Sequence, residues 1–125
     1  MELKKHVYNF NPTEAQLIVV GPTTYHVMGV KRGTRIRSVA VRVGVGFDGT
    51  AAAVNIGDGT GNVFATSAQV IPAAPGLKDG YGTAFSASNG KLYTGDDTVD
   101  LFYTGAANAT TGACSVIVTY TEEES

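Results

Sequence analysis

Residues 34–47 read TRIRSVAVRVGVGF. If side chains alternate along an extended chain, Arg37, Val39, Val41, Val43, Val45 and Phe47 share one face. Ile36, Ser38, Ala40, Arg42, Gly44 and Gly46 fall on the other. The unbroken apolar run from Val39 to Phe47 on the first face predicts a strand against the core. Asp48-Gly49 follows at once, a pair that predicts a β-hairpin, because a type I′ turn needs positive φ at both central positions. The return strand is expected from Ala51 to Ile56, with Ala52, Val54 and Ile56 inward.

Outward from this stretch the same rhythm continues. Strands are expected at Leu3–Phe10, Ala15–Val20 and Tyr25–Val30, punctuated by Pro12 and by Gly21-Pro22. Gly57–Asn62 reads as a turn-rich loop, and residues 62–71 fit either a short strand or a single helical turn. Pro72 and Pro75 open a loop that runs on through Gly76, Gly80 and Gly82. Lys91–Thr94 is a short strand, and Gly95-Asp96-Asp97 turns the chain. Thr98–Thr104 aligns Val99, Leu101 and Tyr103. The small, polar run Gly105–Gly112 reads as an exposed connection, and Ala113–Tyr120 aligns Cys114, Val116, Val118 and Tyr120.

Composition supports the same class. Val and Thr, at 15 each, far outnumber the 5 Leu, and β-branched residues favour a pleated surface. Glycine supplies 16 of 125 residues, well above the usual ~7%, without a collagen period, so turns are frequent. Seven to eight short strands in a chain of this length predict one all-β domain over residues 1–125, a β-sandwich of jelly-roll type. Some strands are apolar on both faces: Leu17–Val20, Leu101–Tyr103 and Val116–Val118. A two-layer sandwich buries one face of each sheet, so the surplus calls for loops or another subunit to cover it. Three such strands favour oligomerisation.

The residues that could carry chemistry fall into none of the usual constellations. There is no Gly-x-Ser-x-Gly elbow, and Cys114 sits on an inward face where a thiol is inert. His6 and His26 have no Cys or His at metal-ligand spacing. Gly57–Asn62 lacks the following helix of a phosphate cradle. Asp96, Asp97 and Asp100 lack EF-hand spacing, so they read as solvated turn acids, as does the Glu122–Glu124 tail. The expectation is a protein that is not an enzyme and uses no cofactor and no metal.

The net charge of −2 is divided along the chain. Residues 1–47 hold seven of nine bases and two of eleven acids, a balance of +5, and residues 48–125 carry −7. This is either an accident of halves that interleave in space or a dipole suited to head-to-tail assembly. Lys31, Arg32, Arg35, Arg37 and Arg42 form the main basic concentration and are the candidate partner interface. No aromatic residue lies between Lys31 and Arg42, which argues against nucleic-acid binding. A solvated strand edge and pairing with an acidic protein surface both remain open. No run is apolar and long enough to predict a membrane span, and the N-terminus has no signal-peptide pattern, so cytoplasmic synthesis is expected.

Residues 37–62, RSVAVRVGVGFDGTAAAVNIGDGTGN, resemble small virion proteins of tailed bacteriophages. In that group a Val-rich strand runs into F-(D/N)-G-T and then a (V/I)-G-D turn. The matching residues are Phe47-Asp48-Gly49-Thr50 and Ile56-Gly57-Asp58, with later similarity at Val99–Tyr103, Gly112 and Tyr120. The likeness covers about two-thirds of the chain and leaves out residues 1–30, which could include an arm reaching a neighbour. It implies a β-sandwich on the virion surface, assembled in the host cytoplasm. The implied role is a capsid decoration (cement) protein that bridges major capsid subunits, commonly as a trimer. It brings no active-site residues. A tail, fibre or receptor- or carbohydrate-binding module is the alternative, with Tyr81, Phe85 and Tyr93 as candidate contacts; a cellular lectin-like domain is a third.

Overall fold

The structure, a computed structural model, describes residues 2–50, 52–58, 63–79 and 90–123, with backbone alone at 63, 69 and 79. Among the described residues nine strands form two antiparallel sheets. The first holds β1 (Lys4–Phe10), β9 (Ala113–Glu122), β3 (Thr34–Val45) and β6 (Gly76–Asp79) in that order, with β7 (Lys91–Leu92) also paired to β3. The second holds β2 (Pro22–Val30), β8 (Asp97–Thr104), β4 (Ala53–Asp58) and β5 (Val63–Ala65). β6 pairs with residues 40–43 of β3, and β7 with residues 35–36 further along the same edge. The two pieces therefore fill one strand position, and the order is that of an eight-stranded jelly roll.

The core lies where the inward faces meet. Val39, Val41 and Val43 oppose Val54, Ile56, Val99, Leu101 and Tyr103, with Cys114, Val116 and Val118 beside them, all at most 4% exposed. At one end an aromatic cluster closes the sandwich. The Phe10 ring lies 4.7 Å from Tyr25 and 5.6 Å from Tyr103, and Phe47 stacks at 6.1 Å from Phe10. Gly112 is required here: a Cβ at that position would stand 2.2 Å from the Phe47 ring.

Three local expectations are corrected. First, strict alternation along residues 34–47 would put Arg37 inward with Val39. Instead the register with β9 shifts between Ile36 and Ser38, so Ile36 is buried and Arg37 faces out. A charged side chain is far costlier to bury than a bulge is to form. A second shift between Val43 and Val45 turns Val45 to solvent.

Second, Asp48-Gly49 does not close a hairpin. β3 and β4 belong to different sheets, so this turn carries the chain across the core as an arch. Gly49 has φ +93, as the turn chemistry requires, but Asp48 does not have positive φ. A Cβ on Gly49 would meet Ala106 and Ala109 at 3.0–3.2 Å. Gly105 and those two alanines are buried, so Gly105–Gly112 is exposed only in part, at Ala107, Asn108, Thr110 and Thr111.

Third, Ala15–Val20 is not a strand. Thr13 and Gln16 form a capping box that opens α1 (Glu14–Leu17): Gln16 N–H donates to Thr13 Oγ1 at 3.3 Å, and Thr13 N–H donates to Gln16 Oε1 at 2.7 Å. Leu17 is buried, while Ile18, Val19 and Val20 remain exposed. The ambiguous run 62–71 takes both forms open to it, β5 and then α2 (Ser67–Val70).

Candidate functional site: the basic strand and the two exposed surfaces

The basic residues are divided by the bulge in β3 and by the return of β9. Lys31 and Arg32 lie exposed in the turn between β2 and β3, and the Arg32 N–H donates to Asp96 Oδ1 at 3.1 Å. Arg35 is half-buried and holds Glu123 with a two-pronged grip, Nη2 to Oε1 at 3.2 Å and Nε to Oε2. Arg37, the bulge residue, places Nη2 3.7 Å from the same Glu123 Oε2. Arg42 stands apart and exposed further along β3, flanked in register by Ser115 and Leu77. The structure thus brings four of the five to one end of the sandwich and leaves Arg42 on the open sheet face.

The acidic tail is the partner that sequence separation hid. Glu122 pairs with Lys4, and Glu123 with Arg35 and Arg37, across 86 or more positions. Glu123 is thus no solvated tail acid, Glu122 is paired but stays exposed, and Glu124 lies outside the described residues. Their cations hold both carboxyls below the usual range, Glu122 through Lys4 and Glu123 through Arg35. These pairs join bases of the positive half to acids of the negative half, so the two halves interleave.

The exposed face of the β1-β9-β3-β6 sheet is mixed. Val7, Ile117 and Ala40 form one row, and Asn9, Ser115, Arg42 and Leu77 the next. Val7 is 48% exposed and Leu77 52%. Ser115 Oγ donates to Asn9 Oδ1 at 2.7 Å within that row.

The second surface is the end where four connections meet: 11–21, the described part of 46–52 (46–50 and 52), 66–75 and 105–112. Asp48 clamps it. Its Oδ1 accepts the backbone N–H of Thr110 at 2.7 Å and of Thr111 at 2.9 Å, and the Thr110 hydroxyl donates to Oδ2. These bonds, the hydroxyl foremost, lower the Asp48 carboxyl to about 2. Tyr103 OH donates to Leu17 O at 2.9 Å, and Gly105 N–H to Val19 O at 2.9 Å, which pins the exposed 18–20 segment. Phe47, Ala52, Ala68, Ile71 and Pro72 line a shallow hollow of about 330 Å³ at the same end.

The remaining chemistry-bearing residues are engaged structurally. Burial pushes the Cys114 thiol up to about 12. His6 Nε2 donates to Val27 O at 2.9 Å, and His26 Nδ1 lies 3.6 Å from the buried Asp100. Tyr93 is buried and hydrogen-bonded to Asp58, with its phenol raised by burial first and by Asp58 second. It offers no exposed ring for a sugar, and Tyr81 and Phe85 lie outside the described residues. Asp96 accepts from Arg32, Asp97 from the Thr98 N–H at 2.8 Å, and Asp100 from the Thr98 hydroxyl at 2.9 Å. Among the described residues no three metal-ligating side chains converge.

No protein-family model matches the chain, and no curated protein matches it by sequence. Solved structures do share its fold. A chain in the capsid asymmetric unit of cyanophage Pam1 superposes with a TM-score of 0.63 at 17% identity, over 95% of this chain and 82% of that one. A chain in the acid-stable capsid structure of Helicobacter pylori bacteriophage KHP30 superposes with a TM-score of 0.59 at 15% identity, over 94% and 86%. At these identities the likeness is one of fold, and it extends over nearly the whole chain.

Proposed function

We propose that this chain is a structural protein of a bacteriophage virion, a cement protein that decorates the capsid surface and bridges major capsid subunits as a homotrimer. The observation that carries the reading is the whole-length likeness to chains of two phage capsids. The surfaces described above support it. The sandwich presents a mixed apolar and cationic sheet face and an apolar loop end, and it holds its remaining polar chemistry in internal bonds. A specific contact of this kind needs about 800 Å² per partner, and repetition over a shell multiplies a modest affinity.

In this reading Lys31, Arg32 and Arg42 face an acidic capsid surface, with Arg35 and Arg37 engaging it through their exposed edges. The test uses purified capsids with and without the protein. Capsids carrying it should survive higher temperature and lower salt before rupture. Equal survival would remove the cement role. Hundreds of copies per virion are expected; a handful would favour the tail, fibre or receptor-binding alternative.

A further inference from the structure

We propose that this chain docks through the open face of the β1-β9-β3-β6 sheet, onto a protein surface that offers a carboxylate to Arg42. The proposal rests on the cement reading above and names, within it, the contact face and its anchor.

The fate of the cations singles Arg42 out. Lys4 is paired with Glu122, and Arg35 and Arg37 share Glu123. Lys78 Nζ donates to the carbonyls of Val70 at 3.0 Å and Ala74 at 2.6 Å, and Lys91 Nζ lies 5.6 Å from the centre of the Tyr93 ring. Among the described residues the side chains of Lys5, Lys31, Arg32 and Arg42 are left with no hydrogen bond or ion pair. Lys31 and Arg32 stand in a turn at one end, and Lys5 lies on the edge strand β1. Arg42 instead stands inside a sheet face, with β9 on one side and β6 on the other.

Its surroundings are those of an interface centre. The outer side of an antiparallel sheet is normally polar. Here Ser115 and Leu77 stand directly opposite Arg42, and the flanking rows hold Val7, Ile117 and Ala40 on one side and Ala113 and Val45 on the other. Val7, Val45 and Leu77 are 48%, 49% and 52% exposed. The polar pair in the row of Arg42, Asn9 and Ser115, is bonded to itself. Asp79 at the sheet edge is the acid in these rows, and its backbone alone is described. An arginine set among exposed aliphatic side chains is the composition of an interface hot spot.

Charge decides the occupant. A guanidinium covered by another protein loses its water, and without a carboxylate opposite it the burial is strongly unfavourable. Covered together with one, it forms a two-pronged bond that the aliphatic rim shields from solvent. A second copy laid face to face would set one Arg42-bearing sheet against another, like charge against like. The complement is therefore an acidic surface of a different protein, which in the reading above is the major capsid subunit.

The test is binding of the purified chain to capsids assembled without it, followed in real time, with thermal melts to confirm that each variant is folded. The wild type should bind. Arg42→Glu should weaken binding by about a hundredfold or more, and Leu77→Asp by about tenfold or more, both chiefly through faster dissociation. Arg42→Lys should restore little, because an ammonium keeps the charge but not the fork. Lys31→Glu combined with Arg32→Glu reverses more charge, at the turn. It should cost less than Arg42→Glu and act through slower association and a shallower salt dependence. A wild type that does not bind would overturn the cement reading and the docking face with it. If the wild type binds and Arg42→Glu stays within about threefold of it, the docking face is overturned and the cement reading stands. A Lys31, Arg32 double variant that loses more than Arg42→Glu has the same meaning. Self-association of the wild type that Arg42→Glu abolishes would give the face to a second copy and overturn the proposal likewise.

Discussion

Replacing Gly112 with alanine should be among the most damaging single-methyl changes available in this fold. The added Cβ would stand 2.2 Å from Cδ2, 2.6 Å from Cγ and 2.7 Å from Cε2 of Phe47, well inside contact distance. Phe47 cannot simply swing away, because its ring packs 5.6 Å from Tyr103 and 6.1 Å from Phe10 in the closed end of the core. Overpacking of this kind costs about 1–3 kcal/mol. The φ of +153 at Gly112 adds a backbone cost of about 1–3 kcal/mol for any residue with a Cβ. Together the expected loss is about 2–6 kcal/mol, read as a lower urea midpoint with an unchanged slope. The two contributions separate in a double-mutant cycle with Phe47→Leu, which removes the ring edge that the new methyl meets. The double variant should be more stable than the sum of the singles implies by about 1 kcal/mol or more, and the backbone share should remain. A Gly112→Ala protein that unfolds at the wild-type midpoint, or a cycle with no coupling, would refute the packing assigned to this end.

Acid should loosen the same end. Asp48 is lowered from its ordinary 3.8 to about 2, so its contribution is complete above pH 4 and is lost as pH falls from about 4 to about 2. Asp48→Asn should flatten the stability profile in that window, as followed by thermal melts from pH 5 to 2. Tyr103→Phe removes the hydroxyl bonded to Leu17 O and should cost about 1 kcal/mol, or roughly 3–5 °C in Tm, with faster amide exchange in residues 14–19. The Leu17 carbonyl keeps the Ala106 N–H at 3.3 Å, which bounds that loss. Cys114 should resist thiol reagents at pH 8 in the native protein and react promptly in urea, since burial raises it to about 12. Rapid native labelling would contradict its place on the inner face of β9.

Features set by local pattern are legible in the sequence, and features set by distant partners are not. The alternation at Val39–Val43, Val54–Ile56, Val99–Tyr103 and Cys114–Val118 selects the buried face of each strand without any tertiary information. That is because the strand period is two and each run is long enough to repeat it. The short helix at Glu14–Leu17 is set by the Thr13–Gln16 capping box, a local signal that the apolar run 17–20 does not carry. Asp48-Gly49 specified a turn, but whether the chain folds back within one sheet or arches to the other depends on the strands available to pair, which only the packed sandwich supplies. The bulge at Arg37 has the same origin: alternation is a rule of a regular ladder, and the cost of burying a guanidinium is what breaks it. The basic strand's nearest acid lies 88 residues away in Glu123, and no local pattern announces it. By itself, then, the sequence determined the class, the inward faces and the absence of a recognisable catalytic motif, all properties of short-range pattern. Sheet order, the fate of the charges and the gathering of four connections at one end were decided only by tertiary structure, because each depends on contacts between residues far apart in the chain.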